Sequence, residues 1–252
     1  MKVTTLLENK TTCDALRCEH GLSLYIETAE HRILFDSGAS DAFWKNAETL
    51  GIDLTRVDIA VLSHAHNDHC GGLLTFLEGN KTAKVYLQKE AFGDYYVVTP
   101  TRCAYIGLDP KLHEYADRFI MAEGVTKIDD ELTLFSGIKT HELLSEANAT
   151  LREKVGEDYP RDPFRHEQDL LVTENRKTVL FAGCAHSGIV NIINRAQEVL
   201  GRAPDCVFAG FHLYNPSLGQ PEPKTLVDAV GERLRGWQGT RYVTGHCTGG
   251  DA

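Results

Sequence analysis

The feature that most constrains this chain is a strand-like run that empties into a cluster of histidines. Val57-Asp58-Ile59-Ala60-Val61-Leu62 is β-branched and apolar, and short enough for a buried strand. Ser63-His64-Ala65-His66-Asn67-Asp68-His69-Cys70-Gly71-Gly72 follows it directly. Three of the chain's 11 histidines, with a carboxylate, therefore crowd the loop at that strand's C-terminal end. Neutral imidazoles and carboxylates are ligands that zinc, iron and manganese all accept. In a loop, His64 and His66 can turn toward one metal while Asp68 and His69 turn toward another. Ala65, Gly71 and Gly72 let the backbone close tightly around the ions. One histidine alone would read as an ordinary polar loop; three with an aspartate do not.

The rest of the chain supplies layers for such a site. Strand-like runs occur near Val3 to Leu7, at Leu22 to Glu27 and at Ile33 to Phe35. The spacing predicts a helix over Asp41 to Leu50 with Ser40 as N-cap, and a short helix from Leu73 to Leu77. From about 88 to 165 the pattern blurs, with a helix-like stretch at Glu146 to Val155, and reads as an insertion or cap within one domain spanning 1–252. Regularity returns as a hairpin, Leu170 to Val172 and Val179 to Phe181, turning at Glu174-Asn175-Arg176. Ile189, Ile192, Ile193, Ala196 and Leu200 share one helical face. A strand at Cys206 to Ala209, a helix from Pro223 and a last strand at Arg241 to Thr244 complete the pattern. The expected class is a layered α/β (α+β) protein with helices outside sheets.

Composition narrows the functions. A net charge of -10 and the lack of a basic stretch argue against a nucleic-acid groove, which needs clustered Lys and Arg. A small anionic substrate needs only a few local cations. No run approaches the roughly 18 apolar residues of a membrane span, and the N-terminus reads as a strand and not as a signal peptide. Seven scattered cysteines do not form a disulfide framework, so a cytoplasmic location is expected. Oligomeric state is not legible.

The H-x-H-x-D-H run after a hydrophobic strand resembles the signature of the metallo-β-lactamase superfamily. Asp36 in Leu34-Phe35-Asp36-Ser37-Gly38 is similar to the aspartate that props the metal loop there. Glu19-His20-Gly21, His166-Glu167-Gln168, Gly183-Cys184-Ala185-His186-Ser187-Gly188, Gly210-Phe211-His212-Leu213 and His246-Cys247-Thr248-Gly249 resemble one branch. That branch includes the dihydropterin–ribofuranosylaminobenzene phosphate synthases and uncharacterised bacterial relatives. The resemblance implies an αββα sandwich with two divalent metals, zinc first and iron or manganese as alternatives, at one edge.

By the same resemblance His246 belongs to the second site. His166 joins His64 and His66 at the first, and Cys184 takes the bridging place of the usual aspartate. His186, two residues on, can reach the metals in its place. His212 is expected to contact substrate or support a ligand, and His20 to be a structural histidine. Two such ions lower the pKa of a shared water. The expected reaction is attack of a bridging hydroxide on an ester, thioester, lactone or phosphoester, with Asp68 holding one ion and orienting the water. Arg102, Arg161 and Arg165 are candidate cations at the mouth, and Tyr95, Tyr96 and Tyr105 candidate stacking surfaces. The alternatives are a phosphate-displacing pterin or aryl transferase, a di-iron redox protein, a nuclease and a non-catalytic metal-binding module.

Overall fold

Apolar residues alternate along the strands, and each side of the alternation finds a different core. In the computed structural model, which describes residues 1–250, two six-stranded sheets lie face to face. The first contains β1 (Lys2–Leu7), β2 (Ser23–Glu27), β3 (Arg32–Phe35), β4 (Ile59–Val61), β5 (Lys84–Gln88) and β8 (Phe119–Ala122), in that order. The second runs β17 (Arg241–Thr244), β14 (Cys206–Ala209), β13 (Lys177–Phe181), β12 (Asp169–Glu174), β10 (Leu132–Phe135) and β9 (Val125–Lys127). Between the sheets Ile33, Phe35, Ile59 and Val61 meet Leu134, Leu170, Val172 and Phe181.

The opposite faces pack on helices. Leu34 and Ala60 point outward onto α1 (Ala42–Thr49) and α3 (Leu73–Gly79) through Phe43, Ala47, Phe76 and Leu77. Leu171 and Leu180 meet α4 (Ile189–Leu200) and α5 (Lys224–Arg235) through Ile189, Ile193, Val230 and Leu234. This is the expected αββα layering: one-residue alternation divides each strand between an inter-sheet core and a helix-covered core. The N-cap of α1 is Asp41 and not the expected Ser40, which lies one residue earlier and whose hydroxyl accepts the Ala42 amide at 3.1 Å. Asn175 and Arg176 take positive φ, the type I′ geometry of a two-residue hairpin turn.

The expected insertion over 88–165 is narrower than the pattern suggested, because β8, β9 and β10 belong to the main sheets. What stands outside them is a three-stranded sheet of β6 (Tyr95–Thr99), β7 (Arg102–Tyr105) and β11 (Leu151–Glu153), plus a 3-10 segment at Pro110–Arg118. The expected helix at 146–155 is a 3-10 turn, Glu146–Thr150, running into β11. Ser145 Oγ and Glu222 Oε1 both take the Ala147 amide, and pairing of Leu151 to Glu153 with β6 outweighs helix propensity. A two-stranded ribbon, β15 (Tyr214–Asn215) and β16 (Gln220–Pro221), and the one-turn α2 (Asn67–Cys70) complete the elements. No helix among the described residues is long and apolar enough to cross a membrane.

Two polar links tie these layers together. Asp36, just past β3, accepts the Ser63 amide and the Ser63 hydroxyl, each at 2.7 Å, and faces His69 Nδ1 at 2.6 Å. It thereby fastens the loop after β4 to its neighbour strand. His31, in the β2–β3 turn, bridges Asp58 at 3.2 Å and Asp129 of the β9–β10 turn at 2.6 Å, so it pins one sheet to the other.

Asp36→Asn keeps the shape, and asparagine tolerates the left-handed backbone at this position (φ 58). It replaces by a donor either Oδ1, which faces the Ser63 amide, or Oδ2, which faces the Ser63 hydroxyl and His69 Nδ1. We expect a loss of about 3 kcal/mol in urea unfolding followed by circular dichroism; a change within about 0.5 kcal/mol would contradict the role given to Asp36. For His31, burial alone lowers the pKa, but Asp129 and Asp58 outweigh it and hold it above its ordinary value. Its contribution is then full below about pH 6.5 and lost as pH rises through the raised folded value. The stability gap between the wild type and His31→Ala should be about 0.5–1 kcal/mol at pH 5.5 and shrink by pH 9. A gap that grows with pH would contradict the bridge.

Candidate metal centre

In open parallel arrangements, ligand-binding groups collect beyond the C-terminal ends of strands. Here β3, β4, β13, β14 and β17 are consecutive members of parallel runs. Directly past their ends come Asp36, the loop Ser63 to His69, Gly183 to His186, His212 and His246. The sandwich therefore brings to one edge side chains as distant in sequence as His64 and His246.

The convergence is tight. His64 Nε2 lies 3.3 Å from His186 Nε2, and His66 Nδ1 lies 3.2 Å from that same nitrogen. His69 Nε2 lies 3.1 Å from Cys184 Sγ and 3.1 Å from His246 Nε2. Asp68 Oδ2 lies 3.2 Å from His246 Nε2. His64, Cys184 and His186 thus form one ligand-competent group, and Asp68, His69, Cys184 and His246 a second, with Cys184 common to both. A third group, Cys184, His212 and Cys247, adjoins them and a fourth joins His66 to Asp162 and His166; among the described residues neither ring nitrogen of buried His212 has a hydrogen-bond partner. Imidazole lone pairs about 3 Å apart repel one another unless a proton or a cation lies among them. Nitrogen, sulfur and carboxylate donors meeting in this way fit a borderline divalent ion.

Outer partners aim the rings. Ser63 Oγ is 2.9 Å from His64 Nδ1, and Asn148 Oδ1 is 2.9 Å from His186 Nδ1. Asn9 Oδ1 is 2.8 Å from His246 Nδ1, and Glu8 accepts the His246 amide. Glu167 accepts the His186 and Ser187 amides at 2.6 and 2.9 Å, fixing the loop after β13. In each ring the nitrogen opposite the cluster is held, which leaves the inward nitrogen with its lone pair. Gly71 and Gly72 do serve close packing: a Cβ on either would collide with the carbonyl oxygens of Ala39 and Ser37.

One expected ligand is displaced. His166 meets His66 and Asp162 in a ligand-competent group but does not join His64; its Nδ1 accepts the Ala65 amide at 3.0 Å, and its Nε2 faces Asp162 Oδ2 at 2.9 Å. Both ring nitrogens are spent on protein partners, and His186 occupies the place expected of His166. His64, His66, Asp68, His69, Cys184, His186 and His246 are brought together, with His212 beside them. His20 stacks on His246 with centroids 4.8 Å apart, and its Nε2 lies 3.2 Å from Asp68. Asn9, Glu8 and Asn148 carry no mark in sequence; for Asp162 only its i, i+4 spacing to His166 offers a signal.

Burial and neighbouring charge divide the ionisations. Burial pushes the His64 pKa well below its ordinary value, aided by His69 and His66, and burial with His212 does the same to His186. Burial opposes ionisation of Asp68, but His69, His20 and His246 hold it well below the usual carboxylate range. Burial alone would lower His246, yet Asp68 and Cys247 bring it up to about 9. Burial and Cys247 raise the Cys184 thiol, while Cys247, despite burial, is lowered by Cys184 and His212. Backbone strain gathers here too, with Asp36, Ala185, His212 and His246 all at positive φ.

The cluster opens into a cleft of about 370 Å³ whose floor includes Asp68, Cys184, His186 and His212. Val97, Ile106, Leu151 and Pro216 form apolar walls, and Arg102, Asn215 and Ser217 polar ones. Of the candidate cations, Arg161 and Arg165 pair with Glu146 and Glu153 at 3.5 and 2.8 Å, which leaves Arg102 to face the cleft. The tyrosines do not line it: the Tyr95 hydroxyl donates to Glu90 O and the Tyr105 hydroxyl to Leu108 O, while Tyr96 packs on Tyr105 and Tyr159.

Comparison with known proteins agrees with this geometry. The chain is 32% identical over 220 residues to the uncharacterized protein MJ0448 of Methanocaldococcus jannaschii, across 84% of this chain and 80% of that protein. It is 25% identical over 270 residues to the 7,8-dihydropterin-6-methyl-4-(beta-D-ribofuranosyl)-aminobenzene-5'-phosphate synthase of the same organism, across 99% and 88%. Among solved structures, Tm1679, described as a metal-dependent hydrolase of the beta-lactamase superfamily, superposes with a TM-score of 0.81 at 26% identity, over 99% of this chain and 89% of that one. The metallo-beta-lactamase superfamily model matches residues 16–193, most of the strands and helices that carry the site. The chain belongs to the metallo-beta-lactamase superfamily.

Proposed function

We propose that this protein is a metal-dependent hydrolase of small anionic esters, lactones or phosphoesters, working with two divalent ions, zinc foremost. The observation that carries the reading is Cys184, whose sulfur belongs at once to the group with His64 and His186 and to the group with Asp68, His69 and His246. A donor shared by two full ligand sets is what a pair of adjacent ions needs. His64, His66 and His186 would hold the first ion, Asp68, His69 and His246 the second, and Cys184 would lie between them. Bound ions of this kind supply Lewis acidity toward a substrate oxygen and bring the pKa of water toward neutrality.

The chain's own residues do the rest. Arg102 lines the cleft and would orient an anionic group, and the apolar walls exclude water from a ring or acyl portion. Asp68 has room beside its ligand role to accept a hydrogen bond from attacking water, since its side chain is 15% exposed toward the cleft. His212, with two unpartnered ring nitrogens, is placed to hand a proton to a departing oxygen. The acidic chain favours small-molecule substrates over nucleic acid and membrane surfaces. Seven unpaired cysteines, three of them buried at or beside the site, favour a reducing cytoplasm.

A second reading is favoured by one observation: similarity to the dihydropterin-linked phosphate synthase extends over 99% of the chain. In it the same cleft seats an aromatic acceptor, which displaces a phosphate-bearing group.

Protein stripped by chelator and reloaded with zinc, manganese or ferrous iron should turn over at least one member of a panel of nitrophenyl phosphates, lactones and thioesters. Cys184→Ala should lose the shared ion position and at least about 100-fold in activity. His212→Ala should lose about 100-fold in kcat with metal content unchanged. Phosphate or pyrophosphate release that requires an aromatic acceptor would favour the second reading. Failure to bind metal at all would overturn both.

A further inference from the structure

His166 sits behind the first ligand group, where its bonds determine which nitrogen carries its proton. Its Nδ1 accepts the Ala65 amide at 3.0 Å, so neutral His166 must be protonated at Nε2. That Nε2–H donates to Asp162 Oδ2 at 2.9 Å. The other carboxylate oxygen, Oδ1, accepts the Phe164 amide at 2.7 Å. Asp162, whose side chain is 0% exposed, is thus held from both sides, and its Oδ2 lies 3.5 Å from His66 Nε2. Among the described residues the buried His66 Nε2 has no hydrogen-bond partner, while its Nδ1 faces His186 Nε2 at 3.2 Å.

We infer that Asp162 is the positioning residue of the first metal site: held by His166 and the Phe164 amide, it keeps His66 in the Nε2–H form so that the Nδ1 lone pair faces the ion. This rests on the two-metal reading above. A neutral imidazole has a single ring lone pair, and the partner of one nitrogen decides where the proton sits. His64 and His186 have Ser63 and Asn148 at their outer nitrogens; His66 has only Asp162. The other acceptor at this position is excluded, because the Ala65 amide and Asp162 already occupy His166. A movement of about 0.5 Å brings His66 Nε2–H within hydrogen-bond reach of Asp162 Oδ2. The device runs from the Ala65 amide in the histidine loop, through His166 and Asp162, back to the very next residue, His66.

Asp162→Asn turns the acceptor that faces His66 into a donor, since the amide oxygen stays with the Phe164 N–H. By equilibrium dialysis against zinc, with circular dichroism to confirm folding, the wild type should bind two ions. Asp162→Asn should keep one at full affinity and bind the other about 10–100-fold more weakly. Long-range proton–nitrogen correlation NMR at pH 8 on the zinc-loaded wild type should show His66 as the Nε2–H tautomer with Nδ1 as the ligating nitrogen, a readout independent of activity. Two equally tight zinc ions in Asp162→Asn, or an Nδ1–H tautomer of His66 in the wild type, would overturn the role of Asp162 alone. A wild type that binds no zinc would overturn the two-metal reading instead.

Discussion

The contact on which the site depends is the buried carboxylate of Asp36 with its three donors: the Ser63 amide, the Ser63 hydroxyl and His69 Nδ1. It lies beyond β3, and the histidine loop lies beyond the adjacent parallel strand β4. The carboxylate therefore sets both the start of that loop and the direction of one of its rings. His69, once aimed, meets both Cys184, just past β13, and His246, just past β17. A single acceptor in the first sheet thereby fixes where donors from the second sheet must arrive. The inter-sheet core of Phe35, Val61, Leu170 and Phe181 keeps the two edges at that separation.

Sulfur at the shared position distinguishes the chemistry. A carboxylate there would present two hard oxygens; Cys184 presents one polarizable donor, with Cys247 and His212 close behind it. Softer donors shift preference toward zinc and away from purely oxygen-loving ions. The left-handed backbone of Ala185 is part of this arrangement: it turns the chain sharply after β13, between Cys184 and His186, which both reach the cluster.

Local pattern made much of this legible. Apolar runs of three to six residues, their bounding turns and the helical faces of α4 and α5 have short-range periodicity, and the structure follows them. The H-x-H-x-D-H loop carries its ligands within one turn of chain, so its chemistry could be read without knowing the fold. His166 and His186 show where that ended. Both sit at strand ends on the site's edge, and nothing in their neighbours' identity reveals that the Ala65 amide captures one ring while Asn148 frees the other. The roles of Asn9, Glu8 and Asp162 depend likewise on contacts between remote segments. Residues 146–155 were misread because Glu222, more than 60 residues away, draws the Ala147 amide out of any helix.

Anomalous diffraction at the zinc edge, from crystals of zinc-loaded protein, addresses the shared-donor claim most directly. The account predicts two peaks about 3.5–4 Å apart on either side of Cys184 Sγ, one ringed by His64, His66 and His186 and the other by Asp68, His69 and His246. A single peak, or two with the Cys184 sulfur turned away from both, would contradict it.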